Sequence, residues 1–379
     1  MSLLLTCMMD TQLADQILDL GSGPGSLSSA AKKRWPNAKI TSVDIETKNH
    51  RTDLRQITAN VFEHNLPEII NLPEGSIDVA VSNPPYIKIK WQESLKSIIE
   101  SSGLPSSTIP RKAYSAELIF IAQILRMLKP GGEAAVILPD GILTAEKFSE
   151  FRKALIENHS VKRVIELPAR SFKRTEAKTH IVIFSKAGHQ NKSNYIELRT
   201  LESNEQISRP IHINHAHGSQ RLDYSFYKQK SDLKAVKDSI TLSSIATVMR
   251  GKQSSSDIKR IELSTVHTTD IFSPTCKLKL KGNDHLISLE KQGYLIARPG
   301  DILLARVGRN LNQKIALVTS GYAIVSDCLF IIRSQVQKQQ SIFEYLASES
   351  GQSSIERLTY GVAARQISKK QLCNLQLEI

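Results

Sequence analysis

Three short stretches hold residues whose types and spacing could do chemistry. In ILDLGSGPG, residues 17–25, Asp19 sits at the end of an apolar run, and Gly21, Ser22, Gly23 and Gly25 form the turn that follows. Without a Cβ, glycine lets such a turn bend tightly and approach a ligand with bare backbone. Folds that alternate strands and helices bind ligands at this end of the strands. In TSVDIE, residues 41–46, Asp44 could accept hydrogen bonds from both hydroxyls of a ribose, and Ile45 could cover one face of an adenine. Together these suit a nucleotide-type ligand, NAD included. In DVAVSNPPYIKIK, residues 78–90, an alternating apolar run ends at Asn83-Pro84-Pro85-Tyr86. Adjacent prolines lack backbone N–H groups and fix φ, so the strand stops there in a rigid turn.

Positioning these residues requires a sheet whose strands end side by side. QILDL, KITSVDI, DLRQITA, IDVAVS, EAAVILP, VKRVIELP and THIVIFSK have the pattern of strands, and SLSSAAKKRW, YSAELIFIAQILRML and AEKFSEFRKALIENH that of helices between them. This alternation predicts an α/β fold with an open, mostly parallel, Rossmann-like sheet. The last two strands are joined only by the loop ARSFKRTEAK, too short for a crossover, which predicts one antiparallel pair near an edge. Residues 191–238 are polar and poorly periodic and are expected to be a linker, with His212, His215 and His217 solvated rather than metal-binding. Residues 239–379 form a second, α+β domain, with strand-like GYLIARPGDILLARV, QKIALVTSG and DCLFIIR and a helix over SIFEYLASESGQSSIERL.

The chain has 379 residues, 40% hydrophobic and 23% charged, enough for two domains with their own cores. Its net charge is +13, with basic residues in excess in both halves, which favours a polyanionic partner, nucleic acid first. The four cysteines, Cys7, Cys276, Cys328 and Cys373, are scattered and are expected to be reduced thiols, with no metal site. No apolar run has the length of a membrane span and the N-terminus lacks a signal-peptide pattern, so a cytoplasmic location with no membrane partner is expected.

LDLGSGPG followed by NPPY resembles the S-adenosylmethionine-dependent amino-methyltransferases. The resemblance implies a class I methyltransferase domain over residues 1–190, with S-adenosylmethionine held by Asp19, Gly21, Ser22, Gly23, Gly25, Asp44 and Ile45. An amino nitrogen conjugated to a ring or carbonyl is a poor nucleophile because its lone pair is delocalised. Acceptors at Asn83 and the Pro84 carbonyl would hold its two protons and favour the pyramidal nitrogen that attacks the methyl group. Pro85 stiffens the turn and Tyr86 would stack on the target ring, which in a duplex must first be flipped out. ITANVF falls where many relatives have Asp-Phe, so Asn60 and Val61 are the expected cofactor-adenine contacts. The same four-residue motif serves adenine in DNA, cytosine-N4, some RNA bases and glutamine amides.

The stretch from YSAELIFIAQILRMLKPGG to THIVIFSK resembles gamma-class, TaqI-like DNA adenine methyltransferases. On that resemblance Phe172 would cover the second face of the flipped base, and Lys173 and Arg174 would contact phosphates. LSSIATVMRGKQ, ARPGDILLARVGRN and LTYGVAARQISKKQLCNLQLEI resemble a target-recognition unit of type I restriction specificity subunits, which implies duplex DNA contacts from Arg306, Arg309 and Arg365. The expectation is a site-specific DNA adenine-N6 methyltransferase, the modification component of a restriction-modification system, with a separate restriction endonuclease cutting the same site. Alternatives are a glutamine-N5 or cytosine-N4 methyltransferase, or a DNA-binding specificity protein without activity. The glutamine enzymes carry a helical domain ahead of the glycine motif, whereas here a short stub precedes the first strand and lacks the family's usual upstream motif.

Overall fold

The computed structural model describes residues 2–46, 54–109, 114–168, 171, 178–188, 193–202, 206–233, 240–258, 260, 262–274, 276–360 and 365–379. They fall into two compact units, Met1–Tyr227 and Lys228–Ile379.

The strands of the first unit are β1 (Gln16–Leu20), β2 (Lys39–Asp44), β3 (Arg55–Thr58), β4 (Ile77–Ser82), β5 (Leu128–Pro139), β6 (Ser160–Glu166), β7 (Thr179–Ser185), β8 (Tyr195–Thr200) and β9 (Ile211–Asn214). Its helices are α1 (Ser2–Cys7), α2 (Ser26–Arg34), α3 (Leu66–Ile69), α4 (Glu93–Ser101), α5 (Ala116–Met127), α6 (Asp140–Thr144), α7 (Ser149–Asn158) and α8 (His215–Gln220). One sheet runs in the order β3-β2-β1-β4-β5-β7-β6-β8-β9. β1 to β5 pair parallel, as do β6 and β8. β7 lies antiparallel between β5 and β6, the reversal that the short loop required, and β9 is antiparallel at the edge. The order changes direction between β1 and β4, and at such a switch point the carboxyl ends of the strands open a crevice.

Strands buried on both faces become continuous apolar runs, as in VAV of β4 and AAVIL of β5, where every residue is at most 2% exposed. Each Val, Leu or Ile side chain so buried contributes roughly 1.5–3 kcal/mol. α5 is buried along its whole length, Glu117, Gln123 and Arg126 included. Its polar members are accommodated by specific partners: Gln123 donates to the carbonyls of Val61 and Glu63, both at 2.8 Å, and Arg126 pairs with Glu74.

The expected linker is in part sheet. β8 and β9 extend the sheet by two strands, α8 follows, and the contact-defined boundary falls at Tyr227/Lys228. In YIELRT only Ile196 and Leu198 face the core, while Glu197 and Arg199 pair with each other on the open face, so edge-strand alternation was diluted by polar neighbours. His212 lies on β9 with its ring edge-on to Tyr195, 5.0 Å between centroids, and His215 Nε2 is 2.9 Å from the Ser193 carbonyl.

The second unit contains a five-stranded mixed sheet in the order Ala246–Arg250, Leu329–Ser334, Ile302–Ala305, Ile315–Ser320, Cys276–Lys279. The helix expected over SIFEYLASESGQSSIERL is two helices, Val336–Ala347 and Glu349–Leu358. Ser348 divides them: its backbone is extended and its Oγ accepts from the Gly351 N–H at 3.1 Å, capping the second helix.

Candidate active site

The glycine turn is fastened to the neighbouring strand. Gly21 N and Ser22 N both donate to the Val43 carbonyl, at 2.8 and 3.2 Å, and Gly23 N donates to Asp44 Oδ2 at 2.8 Å. Gly21, Gly23 and Gly25 have φ of 71°, 51° and 81°, the left-handed region that glycine alone enters freely. At Gly21 a Cβ would also stand 3.0 Å from the Phe120 ring and 3.8 Å from the Asn83 carbonyl oxygen, so bare backbone lets the two loops meet. A Cβ at Gly23 would meet nothing within 4 Å, which leaves open space over this part of the turn.

Asp19 is fully buried beneath the turn. Its Oδ2 accepts from Ser28 N at 3.0 Å and Ser28 Oγ at 2.6 Å, while Oδ1 is buried with no hydrogen-bond partner. Burial disfavours its charge and pushes the carboxyl up to about 6, although the Ser28 bonds act the other way. Asp44 is half-buried, with Oδ1 accepting from Glu46 N at 3.2 Å, and Ile45 is 69% exposed beside it. Asn60 Oδ1 accepts from Phe62 N at 3.1 Å. Val61 is only 5% exposed and faces the interior; the ring in this stretch is that of Phe62, edge-on to Phe120 at 6.2 Å between centroids. Val61 and Phe62 thus lie side by side at the end of this stretch, the first buried and the second packed on α5.

Ser82 Oγ donates to the Leu20 carbonyl at 2.6 Å, tying the end of β4 to the end of β1. Beyond it Asn83 is exposed, Pro84 buried, Pro85 exposed and Tyr86 half-buried. The Tyr86 hydroxyl stands 3.4 Å from Asn83 Oδ1, and burial followed by the nearby Glu117 charge raises it above the ordinary phenol range. The turn is anchored to α5, since Ala116 N donates to the Ile87 carbonyl at 2.9 Å.

Phe172, Lys173 and Arg174 lie outside the described residues. Both stems of their loop are visible. Leu167 N donates to the Thr179 carbonyl at 2.9 Å and Lys178 Nζ pairs with Glu166 Oε1 at 2.8 Å. Next to them His180 Nε2 is 3.0 Å from Asp140 Oδ1. Burial alone would raise Asp140, but the His180 bond and the Lys178 and Arg221 charges bring it down to about 2.

In the second unit, strand pairing between Val307–Gly308 and Arg365–Gln366 brings the Arg306, Arg309 and Arg365 segments together. Arg309 is exposed, whereas Arg306 donates to the Asp327 carbonyl at 2.7 Å and Arg365 pairs with Glu356. Among the described residues no group of His, Cys, Asp and Glu could hold a metal ion, and no helix is long and apolar enough to cross a membrane. Phe120, against Gly21, Phe62, edge-on to Phe120, and Glu117, whose charge acts on Tyr86, adjoin the two turns without having been singled out from sequence. A Glu and a Gln inside an otherwise apolar helix was the available signal.

The sequence pattern of the N-6 DNA methylase family matches residues 1–249. The type II methyltransferase M.PstI of Providencia stuartii is 28% identical over 174 residues, 39% of this chain and 33% of its own length. Ribosomal RNA small subunit methyltransferase C of Haemophilus influenzae is 27% identical over 155 residues, 39% of this chain and 41% of its own. This chain therefore spans well under half the length of either relative. The solved structure of the type IIG restriction endonuclease BpuSI superposes with a TM-score of 0.51 at 14% identity, covering 99% of this chain and 57% of that one, a likeness of fold. The strand order, the glycine and Asn-Pro-Pro-Tyr turns and the match over residues 1–249 agree: the chain belongs to the N-6 DNA methylase family.

Proposed function

We propose that this protein is an S-adenosylmethionine-dependent DNA methyltransferase that acts on the N6 amino group of an adenine flipped out of duplex DNA. The observation that carries the reading is the meeting of the two turns: the Asn83 carbonyl lies 3.8 Å from where a Gly21 Cβ would be, and the Phe120 ring 3.0 Å from the same point. A methyl donor bound on the glycine turn and an amino group held at Asn83 would be neighbours.

The residues fit the cofactor. Asp19 offers a buried carboxylate oxygen without a partner, and the space above Gly23 is open. When bound, S-adenosylmethionine supplies an electrophilic methyl group on a sulfonium. Asn83 Oδ1 and the Pro84 carbonyl accept the two amino protons and set the nitrogen lone pair toward that methyl. Pro84 and Pro85 keep the acceptors from relaxing away. Tyr86 stacks on one face of the base, Phe172 covers the other, and Lys173 and Arg174 engage phosphates. Arg306, Arg309 and Arg365 contact the duplex from a recognition domain at residues 239–379, and a separate endonuclease cuts the same sequence when it is unmethylated.

Asn83→Ala is the test. Transfer of labelled methyl to unmethylated duplex DNA should fall by at least about 10²-fold, the scale of losing an electrostatic acceptor at the reacting atom, while duplex affinity stays within a few-fold. A variant as active as the parent would overturn the roles given to the turn.

A further inference from the structure

Glu117 is a buried acid beside the Asn83–Tyr86 turn that none of the steps above uses. It is 4% exposed, and its Oε2 is buried with no hydrogen-bond partner. The carboxyl is otherwise approached by the Ser115 side chain and its own backbone N–H, both of which favour its charge, and a buried oxygen left without a partner is a place where a ligand can supply one. Its place is fixed from both ends of the first turns of α5. On one side the Ala116 N–H is bonded to the Ile87 carbonyl, and Glu117 lies close enough for its charge to act on the Tyr86 hydroxyl. On the other, Phe120 stands one helical turn further along the same face, with its ring against Gly21. Glu117 thus sits at the base-side end of the helix face whose next member borders the cofactor turn.

The reaction creates a need for such a group. As the amino nitrogen forms its bond to the methyl carbon, the carbon–sulfur bond breaks and its electron pair stays on sulfur. The nitrogen, now carrying methyl and two protons, is positively charged and must release one proton to become the neutral product. The Asn83 amide and the Pro84 carbonyl accept hydrogen bonds but are far too weakly basic to keep a proton. We infer that the Glu117 carboxylate stabilises this positive charge and takes the proton, a role that rests on the function proposed above. The nitrogen–hydrogen electron pair returns to nitrogen, and the proton ends on Glu117 and leaves to solvent as product departs. Burial pushes the Glu117 carboxyl above its ordinary range, although the Ser115 side chain and the backbone N–H act the other way, and the net rise makes its anion a stronger base than an exposed glutamate.

The experiment compares the full chain with Glu117→Gln and Glu117→Asp. Gln preserves size and hydrogen bonding while removing basicity. Single-turnover methyl transfer should fall about 10²-fold or more in Glu117→Gln, the usual scale of a general base. Affinities for S-adenosylmethionine and for duplex, and the fluorescence of 2-aminopurine at the target position, which reports flipping, should not change. Glu117→Asp should recover part of the rate. A Glu117→Gln protein within about twofold of the parent, or one whose rate loss is matched by lost binding or flipping, overturns the inference while leaving the DNA reading intact. Transfer to ribosomal RNA but not DNA by the parent overturns the DNA reading, and the same pair of variants on RNA then decides Glu117. A parent that binds S-adenosylmethionine yet methylates neither overturns both.

Discussion

Asp19 shows how burial sets the charge of a single side chain. Its raised carboxyl, about 6, means that the folded protein takes up a proton more readily there than the unfolded chain does. The corresponding contribution to stability is present below about pH 4 and is lost as pH rises through about 6. A cationic ligand reverses this preference, because it favours the ionised acid. Affinity for S-adenosylmethionine should therefore rise between pH 5 and 7, and calorimetric titration of Asp19→Asn should show that rise flattened along with weaker binding. At Gly21, substitution by Ala places a Cβ at φ 71° and 3.0 Å from Phe120. The left-handed backbone alone costs about 1–2 kcal/mol, and displacement of Phe120 should weaken cofactor binding further, measurable in the same titration. These positions were legible in the sequence because acid, glycines and Asn-Pro-Pro-Tyr each close an apolar run, and the run fixes where they must stand. Glu117, Phe120 and Phe62 were not, because an apolar helix reads as core whichever of its faces borders a crevice, and a shift of one residue separates Val61 in the core from Phe62.

At the scale of elements, the mostly parallel sheet and the antiparallel pairing of β6 with β7 were readable from alternation and loop length, whereas the strand order was not, and β7 lies inside the sheet rather than near its edge. What escaped was the edge. β8 and β9 have only one buried face and short runs, so Ile196, Leu198 and Ile213 are the few apolar residues in a polar stretch. The helix that follows them, α8, is tied to α6 and α7 by Arg152 of α7, 1% exposed, whose guanidinium donates to the carbonyls of Ile142, Ala145, Ser219 and Gln220 at 2.5–3.1 Å. Arg152→Ala leaves buried carbonyls without donors as well as a cavity, and thermal or denaturant unfolding should show a loss of about 3–5 kcal/mol. Ser348 makes the matching point in the second unit. A run periodic enough to pass for one helix is divided by a serine that bonds the backbone three residues on, and Ser348→Ala should lower stability by about 1 kcal/mol.

Across the whole molecule the excess of positive charge, +13, governs the approach to a polyanion. Binding to duplex DNA should weaken steeply with salt, and each arginine that contacts a phosphate adds about 0.9 to the slope of log affinity against log salt. Arg309→Ala should reduce that slope by about one such unit; Arg306, held by Asp327, should matter less unless that bond opens. The family is established by the match over residues 1–249, and the amino group that receives the methyl defines the substrate. The decisive measurement is transfer of labelled methyl from S-adenosylmethionine to unmethylated genomic duplex DNA, followed by nucleoside analysis and mapping of the label. N6-methyladenine confined to one short recurring sequence is the expected result. Label in N4-methylcytosine, in ribosomal RNA or in protein amide, with DNA adenine unlabelled, would contradict it.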